Sequence, residues 1–244
     1  MTNQKRIIAS VIIKDDLAVQ SFSYKKYLPL GKPEVVVENL NWWGADEIII
    51  IDIDRTRQKK EPNYKIIDQI VKKNLSTPLM YSGGIRTKYD AKNVVNSGVE
   101  RICVENIINE NPKVINDISG VIGAQAIVLS IPIVVKKNNV YYYDYIKKKN
   151  IDIEKNKIKL IDRNSYSEIL ITDKENEGSK NLFNLDILKK INFKKNLILF
   201  GGITSKNKIN HLLSKKNVSA ISIGNSLNYS ETSYQNLKKN LKKN

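Results

Sequence analysis

Two elbows of the form Gly-Gly-Ile followed by a hydroxyl residue carry the plainest chemical signal in this sequence. Gly83–Gly84 lies in "YSGGIRT" ahead of Thr87, and Gly201–Gly202 lies in "FGGITS" ahead of Ser205. Each elbow follows a short apolar run and precedes a helix-compatible stretch. Glycine permits a tight strand-to-helix loop and lets backbone N–H groups approach a ligand closely. Beside a helix N-terminus such a loop can hold phosphate. The competing reading is that the glycines only relieve crowding at a turn. Two elbows 118 residues apart in a chain with 11 glycines favour the anion site. Glu105–Asn106, Gly178–Ser179 and Gly224–Asn225 lie on other strand exits and are further anion-site candidates. Two opposed sites suit a ligand with anionic groups at both ends. Cys103, the lone cysteine, sits inside "RICVEN", and the lone histidine, His211, sits in a helical stretch, so neither reads as catalytic. No cluster of metal ligands is seen, and neither a metal nor a cofactor is expected.

The elements that position these residues follow from hydrophobic patterning. Eight apolar runs (6–13, 47–52, 77–82, 101–104, 126–131, 168–172, 196–200 and 220–223) are continuous rather than alternating. That suits parallel strands covered on both faces. Amphipathic stretches at 33–43, 62–74, 88–96, 111–121, 206–214 and 231–243 predict intervening helices. The expected fold is an α/β (β/α)₈ TIM barrel spanning 1–244 as one domain. Residues 134–146 break the alternation and predict a β-hairpin after the fifth strand. Three echoes, "GADEIIIID" with "SYSEILITD", "SGGI" with "FGGI", and "GVERICVEN" with "NVSAISIGN", recur at offsets of 121, 118 and 119 residues. They predict a half-barrel repeat.

Composition narrows the class. The net charge is +16, from 41 Lys and Arg against 25 Asp and Glu. The lysines are scattered without a recognition motif, so they argue for attracting small anions rather than nucleic acid. No run is long and apolar enough to predict a membrane span. The first residues make a poor signal peptide because Lys14, Asp15 and Asp16 interrupt the apolar run. A cytoplasmic setting is expected.

"RIIASVIIKD", "GADEIIIIDID", "YSGGIRT", "SGVERICVEN", "NPKVINDISGVIGAQAIVLSI" and "FGGITS" resemble the cyclase subunit of imidazole glycerol phosphate synthase across nearly the whole chain. The resemblance implies a (β/α)₈ barrel that takes ammonia from a class I glutaminase partner. It implies condensation of that ammonia with a phosphorylated ribulosyl aminoimidazole carboxamide nucleotide. The family's two catalytic aspartates fall on Ile12 and Pro132, which carry no exchangeable proton for acid/base work. Lys14, Asp52, Asp173 and Glu175 are polar residues nearby. The family's ammonia gate, a ring of alternating charge at the N-terminal mouth, falls on Arg6, Glu47, Arg101 and Glu168. Arg101 replaces the usual lysine, which keeps the charge and alters the hydrogen-bond geometry.

Loss of both aspartates, with "EPNY" and "GNSLNY", resembles a divergent branch serving acetamidino modification of bacterial surface sugars. The expectation is therefore a glutaminase-coupled barrel conducting ammonia to a separate ATP-dependent sugar amidotransferase in lipopolysaccharide O-antigen synthesis. Its own cyclase (lyase) activity is doubtful on this view. The alternatives are cyclase activity in histidine biosynthesis and a noncatalytic glycan-pathway assembly protein.

Overall fold

The computed structural model describes residues 5–137, 139–155, 157–180, 182–228 and 233–239. The 134–146 hairpin includes residue 138, and the 231–243 helix includes residues 231, 232 and 240–243; these lie outside the described residues.

The strands are β1 (Arg6–Lys14), β2 (Leu17–Phe22), β3 (Lys26–Gly31), β4 (Glu47–Asp52), β5 (Leu79–Ser82) and β6 (Arg101–Val104). They continue with β7 (Ile127–Lys136), β8 (Asn139–Asp144), β9 (Lys149–Asp152), β10 (Glu168–Asp173), β11 (Asn196–Phe200) and β12 (Val218–Ile223). Eight of them pair in parallel in the order β1-β4-β5-β6-β7-β10-β11-β12, and β12 pairs back on β1. This is a closed (β/α)₈ barrel. Closure leaves the barrel strands without free edges.

The barrel strands are buried on both faces, which accounts for their continuous apolar sequences. Facing the axis, Ile8, Ile49, Met80, Cys103, Val128, Leu170, Ile198 and Ala220 form one apolar cluster. Alternate residues face outward: Ile7, Ile48, Tyr81, Ile102, Ile169 and Ile221 belong to the core between barrel and helices. The strand period of two sorts each run between these layers.

The helices are α1 (Pro33–Trp42), α2 (Ile53–Arg57), α3 (Tyr64–Val71), α4 (Lys88–Asn96), α5 (Ile107–Glu110), α6 (Val114–Ile122), α7 (Asp186–Lys190), α8 (Lys206–Leu213) and α9 (Ser233–Lys238). Local chemistry fixes several starts. Pro33 opens α1, where its missing N–H costs little. Thr87 accepts from the Asp90 N–H at 3.1 Å, while Asp90 accepts from the Thr87 N–H at 2.9 Å, a reciprocal capping box for α4. Ser205 accepts from the Lys208 N–H at 3.4 Å at the start of α8. The hydroxyls following both Gly-Gly elbows are thus helix caps.

Two antiparallel additions rise from the C-terminal rim. β7 runs past the barrel and pairs with β8, which pairs with β9. β1 likewise turns into β2 and β3. This second addition is absent from the sequence expectation. Its turns explain why: Asp15 and Asp16 have φ of 50° and 58°, and Ser23 and Tyr24 both have φ of 54°. Two-residue turns with both residues left-handed suit hairpins, but Asn-Gly is their usual signature.

Candidate functional site

At the N-terminal mouth the structure brings Arg6, Glu47, Arg101 and Glu168 together. Each is the first residue of its barrel strand and points to the axis. Arg6 Nη2 donates to both Glu168 carboxylate oxygens, at 2.9 and 2.7 Å. Arg101 bridges the two acids, donating Nη1 to Glu47 at 3.0 Å and Nη2 to Glu168 at 2.7 Å. Ser219 also donates to Glu168, and Ser167 accepts from Arg101 at 2.9 Å. The ring floors an open depression of about 440 Å³.

Electrostatics divide the two acids. Burial opposes the charge on Glu168, but Arg6, Arg101 and the Ser219 hydroxyl outweigh it and hold the carboxyl below its ordinary value. Burial wins at Glu47 and raises its pKa despite Arg101 and Arg6. Arg6 is the looser cation. Its side chain is 30% exposed against 15% for Arg101. Its buried Nε has no hydrogen-bond partner among the described residues and lies 3.8 Å from Glu47. Above the ring, Ile8, Ile49, Met80, Cys103, Val128, Leu170, Ile198 and Ala220 line the axis with apolar side chains.

At the C-terminal mouth the anion-site candidates gather into two cavities, one per half-barrel. Gly83, Gly84 and Asn106 line the first, with Arg86 and Glu105. Gly178, Ser179, Gly201, Gly202, Gly224 and Asn225 line the second. Asn225 is engaged through both side-chain atoms, whereas Asn106 is engaged through Nδ2 and its buried Oδ1 has no partner among the described residues. Asn106 Nδ2 donates to Asp144 at 3.3 Å. Asn225 donates to the Ser21 carbonyl at 2.7 Å and accepts from the Ser21 N–H at 3.2 Å.

The repeat gives the elbow glycines a second reason. A Cβ on Gly83 would lie 2.6 Å from the Asp52 carbonyl oxygen, and one on Gly201 would lie 2.5 Å from the Asp173 carbonyl oxygen. Asp52 and Asp173, read as polar site residues, are buried and occupied. Asp52 caps α2 through the Arg55 N–H at 3.3 Å and accepts from Asn63 at 3.2 Å. Asp173 accepts from the Asn176 side chain and the Asn184 N–H, both at 2.8 Å. Burial raises both pKa values despite these bonds. Lys14 pairs with Asp15 at the rim, and Glu175 is exposed. Ile12 lies within the inner apolar cluster, and Pro132 pairs in register with Thr172 of β10. Cys103 is buried, and burial pushes its thiol up, away from the reactive thiolate. No group of three metal-ligating side chains occurs among the described residues.

Sequence reasoning missed the roof of this mouth. Tyr24 and Tyr145, at the tips of the two antiparallel additions, meet edge-to-face with centroids 5.4 Å apart. Arg57 lies over the Tyr145 ring at 5.3 Å and donates to Tyr27 Oη at 3.0 Å. Buried Glu177 fastens the β2–β3 addition, accepting from Ser21 Oγ at 2.8 Å and the Tyr24 N–H at 3.1 Å. Burial pushes its carboxyl up to about 7. The folded state then holds a proton that the unfolded chain releases above about 4.3. Stability should fall as pH rises from about 4.3 toward that value. Thermal melts between pH 5 and 8 should show this slope, flattened in Glu177→Gln.

Comparison with known proteins decides the family. The histidine biosynthesis protein family model matches residues 6–233. The chain belongs to the histidine biosynthesis protein family. It is 27% identical to the imidazole glycerol phosphate synthase subunit HisF of Methanococcus vannielii, over 98% of this chain and 97% of that one. It is 26% identical to the subunit HisF of Leuconostoc mesenteroides, over 99% of this chain and 97% of that one. A provisionally named imidazole glycerol phosphate synthase subunit hisF2 of Vibrio vulnificus is 29% identical over 76% of this chain and 68% of its own length. These histidine biosynthesis relatives overturn the expectation of sugar amidination in lipopolysaccharide synthesis. Ile12 and Pro132 carry no exchangeable side-chain proton, and that does not name a sugar. Among the described residues no helix is long and apolar enough to cross a membrane.

Proposed function

We propose that the protein is the barrel subunit of an imidazole glycerol phosphate synthase-type complex. A class I glutaminase docks over the charged ring and releases ammonia there. The ammonia is used at the opposite mouth on a phosphorylated ribulosyl aminoimidazole carboxamide nucleotide, whose two anionic ends sit in the Gly83–Gly84 and Gly201–Gly202 cavities. The observation that carries this reading is the four-charge ring on the axis of a closed barrel in a histidine biosynthesis family chain. Four mutually compensating charges there have a use beyond stability, since buried ion pairs often gain little over apolar packing. Mixing the protein with a glutaminase partner, glutamine and the nucleotide tests it. Consumption of the nucleotide is expected, and its persistence would refute the reading.

The same mixture tests the ring. Arg6→Ala removes the looser cation and leaves Arg101 to bridge both acids. Glutamine hydrolysed per nucleotide consumed should rise severalfold as ammonia escapes at the mouth. An unchanged ratio would count against a gating role.

A further inference from the structure

With Ile12 and Pro132 unable to move a proton, the mouth needs another acid/base group, and the inward face of β6 supplies one. Alternate residues Arg101 and Cys103 point to the axis, and continuing that alternation past the strand end turns Glu105 the same way. Glu105 lines the Gly83–Gly84 cavity and also the adjoining axial cavity, which is bounded by Asp52, Thr56, Arg57, Tyr24 and Tyr145. It is the carboxyl shared by an anion cradle and the barrel axis. Ser130 of β7 donates to its Oε2 at 3.0 Å. We propose that Glu105 is the catalytic acid/base of this mouth, delivering a proton to the sugar carbon's departing oxygen and retrieving one from the incoming nitrogen.

The proposal rests on the function given above and adds a residue to it. Ammonia adds to the ketone carbon of the ribulosyl group to give a carbinolamine. Glu105 protonates the carbinolamine hydroxyl, the C–O bond breaks, water leaves, and the nitrogen lone pair forms the C=N bond. The Glu105 carboxylate then takes a proton from that iminium nitrogen. The carboxyl is regenerated, and the net change is ketone plus ammonia to imine plus water. A group that both gives and takes a proton works best with a pKa near the working pH.

The surroundings favour that poise. Burial pushes the Glu105 carboxyl up to about 8; the Ser130 hydroxyl and Arg57 pull it down, and Asp144 pushes it further up. Tyr24, Tyr142 and Tyr145 also face it, and burial raises each of them, so they remain neutral. Cys103 lies two residues back on the same strand face and is likewise neutral.

The test is ammonium-driven nucleotide consumption by the barrel protein across pH 6–9.5, so that no partner is needed. Glu105→Gln keeps the shape and the Ser130 contact while removing the proton; it should lose roughly 10²–10⁴-fold in kcat. Nucleotide binding, read by calorimetry, should change by less than about threefold, with an unchanged far-ultraviolet circular dichroism spectrum showing that the variant folds. Ser130→Ala removes a bond that favours the charged carboxylate, so the alkaline limb of the wild-type pH profile should move to higher pH. Full activity in Glu105→Gln, or a pH limb unmoved by Ser130→Ala, overturns the role of Glu105 alone. A wild-type protein inert with ammonium and nucleotide overturns the proposed function and this inference together.

Discussion

Glu168→Ala should destabilise the protein by about 3–5 kcal/mol in denaturant unfolding, the usual cost of removing one partner from a buried ion pair. Glu168 is only 6% exposed and is the acid shared by both arginines, bonded to Arg6 at 2.7 and 2.9 Å and to Arg101 at 2.7 Å. Deleting it leaves two cations at a narrow opening with Glu47 alone to compensate. Glu168→Gln keeps the shape and should lose less. The acid limb provides a second check. The folded pKa of Glu168 lies below its unfolded value, so its contribution is present above about pH 4.3 and disappears as pH falls through the folded pKa. The wild type should therefore lose stability below that value more steeply than Glu168→Gln. A loss under about 1 kcal/mol in the alanine variant would mean that the ring behaves as a solvated surface cluster.

Gly83→Ala and Gly201→Ala should each cost about 2–4 kcal/mol, and the two losses should agree within about 1 kcal/mol. Their φ values, 144° and 103°, lie in backbone regions that side chains disfavour. In both, the added methyl meets a backbone carbonyl oxygen, Asp52 or Asp173, that closure of the barrel holds in place. Backbone cannot swing aside as a side-chain tip can. Equal losses are a quantitative signature of the repeat, measured by chemical denaturation of each variant. Near-neutral behaviour in one elbow would show that its half-barrel yields where the other does not.

The barrel is legible in the sequence because two-sided burial writes strands as uninterrupted β-branched runs, such as "EIIIID" at β4. Charged residues at the starts of such runs are legible too: Arg6, Glu47, Arg101 and Glu168 each open a barrel strand at the same end, and they meet although the strands are staggered, with Glu47 opposite Ile8 rather than Arg6. The roof is less legible. Ser23–Tyr24 makes a left-handed turn without glycine, so β2 and β3 give no punctuation. Glu105 was visible only as part of a strand exit, although the inward alternation of Arg101 and Cys103 would have aimed it at the axis. Thr87 and Ser205 show the opposite error in kind: hydroxyls after a glycine elbow suggest ligand contact, yet both spend their oxygens capping helices. The surface-sugar reading went astray because Ile12 and Pro132 show only side chains without an exchangeable proton, and an absence carries no information about a substrate.

The most direct measurement is glutamine-driven nucleotide consumption by the reconstituted barrel and glutaminase, run with an ammonia-consuming dehydrogenase and its cofactors in the solution. On the proposed function, ammonia handed through the charged mouth does not reach bulk solvent, so consumption should continue at close to one glutamine per nucleotide. If the scavenger abolishes consumption, or if glutamine is hydrolysed while the nucleotide stays intact, the barrel does not pass ammonia from one face to the other.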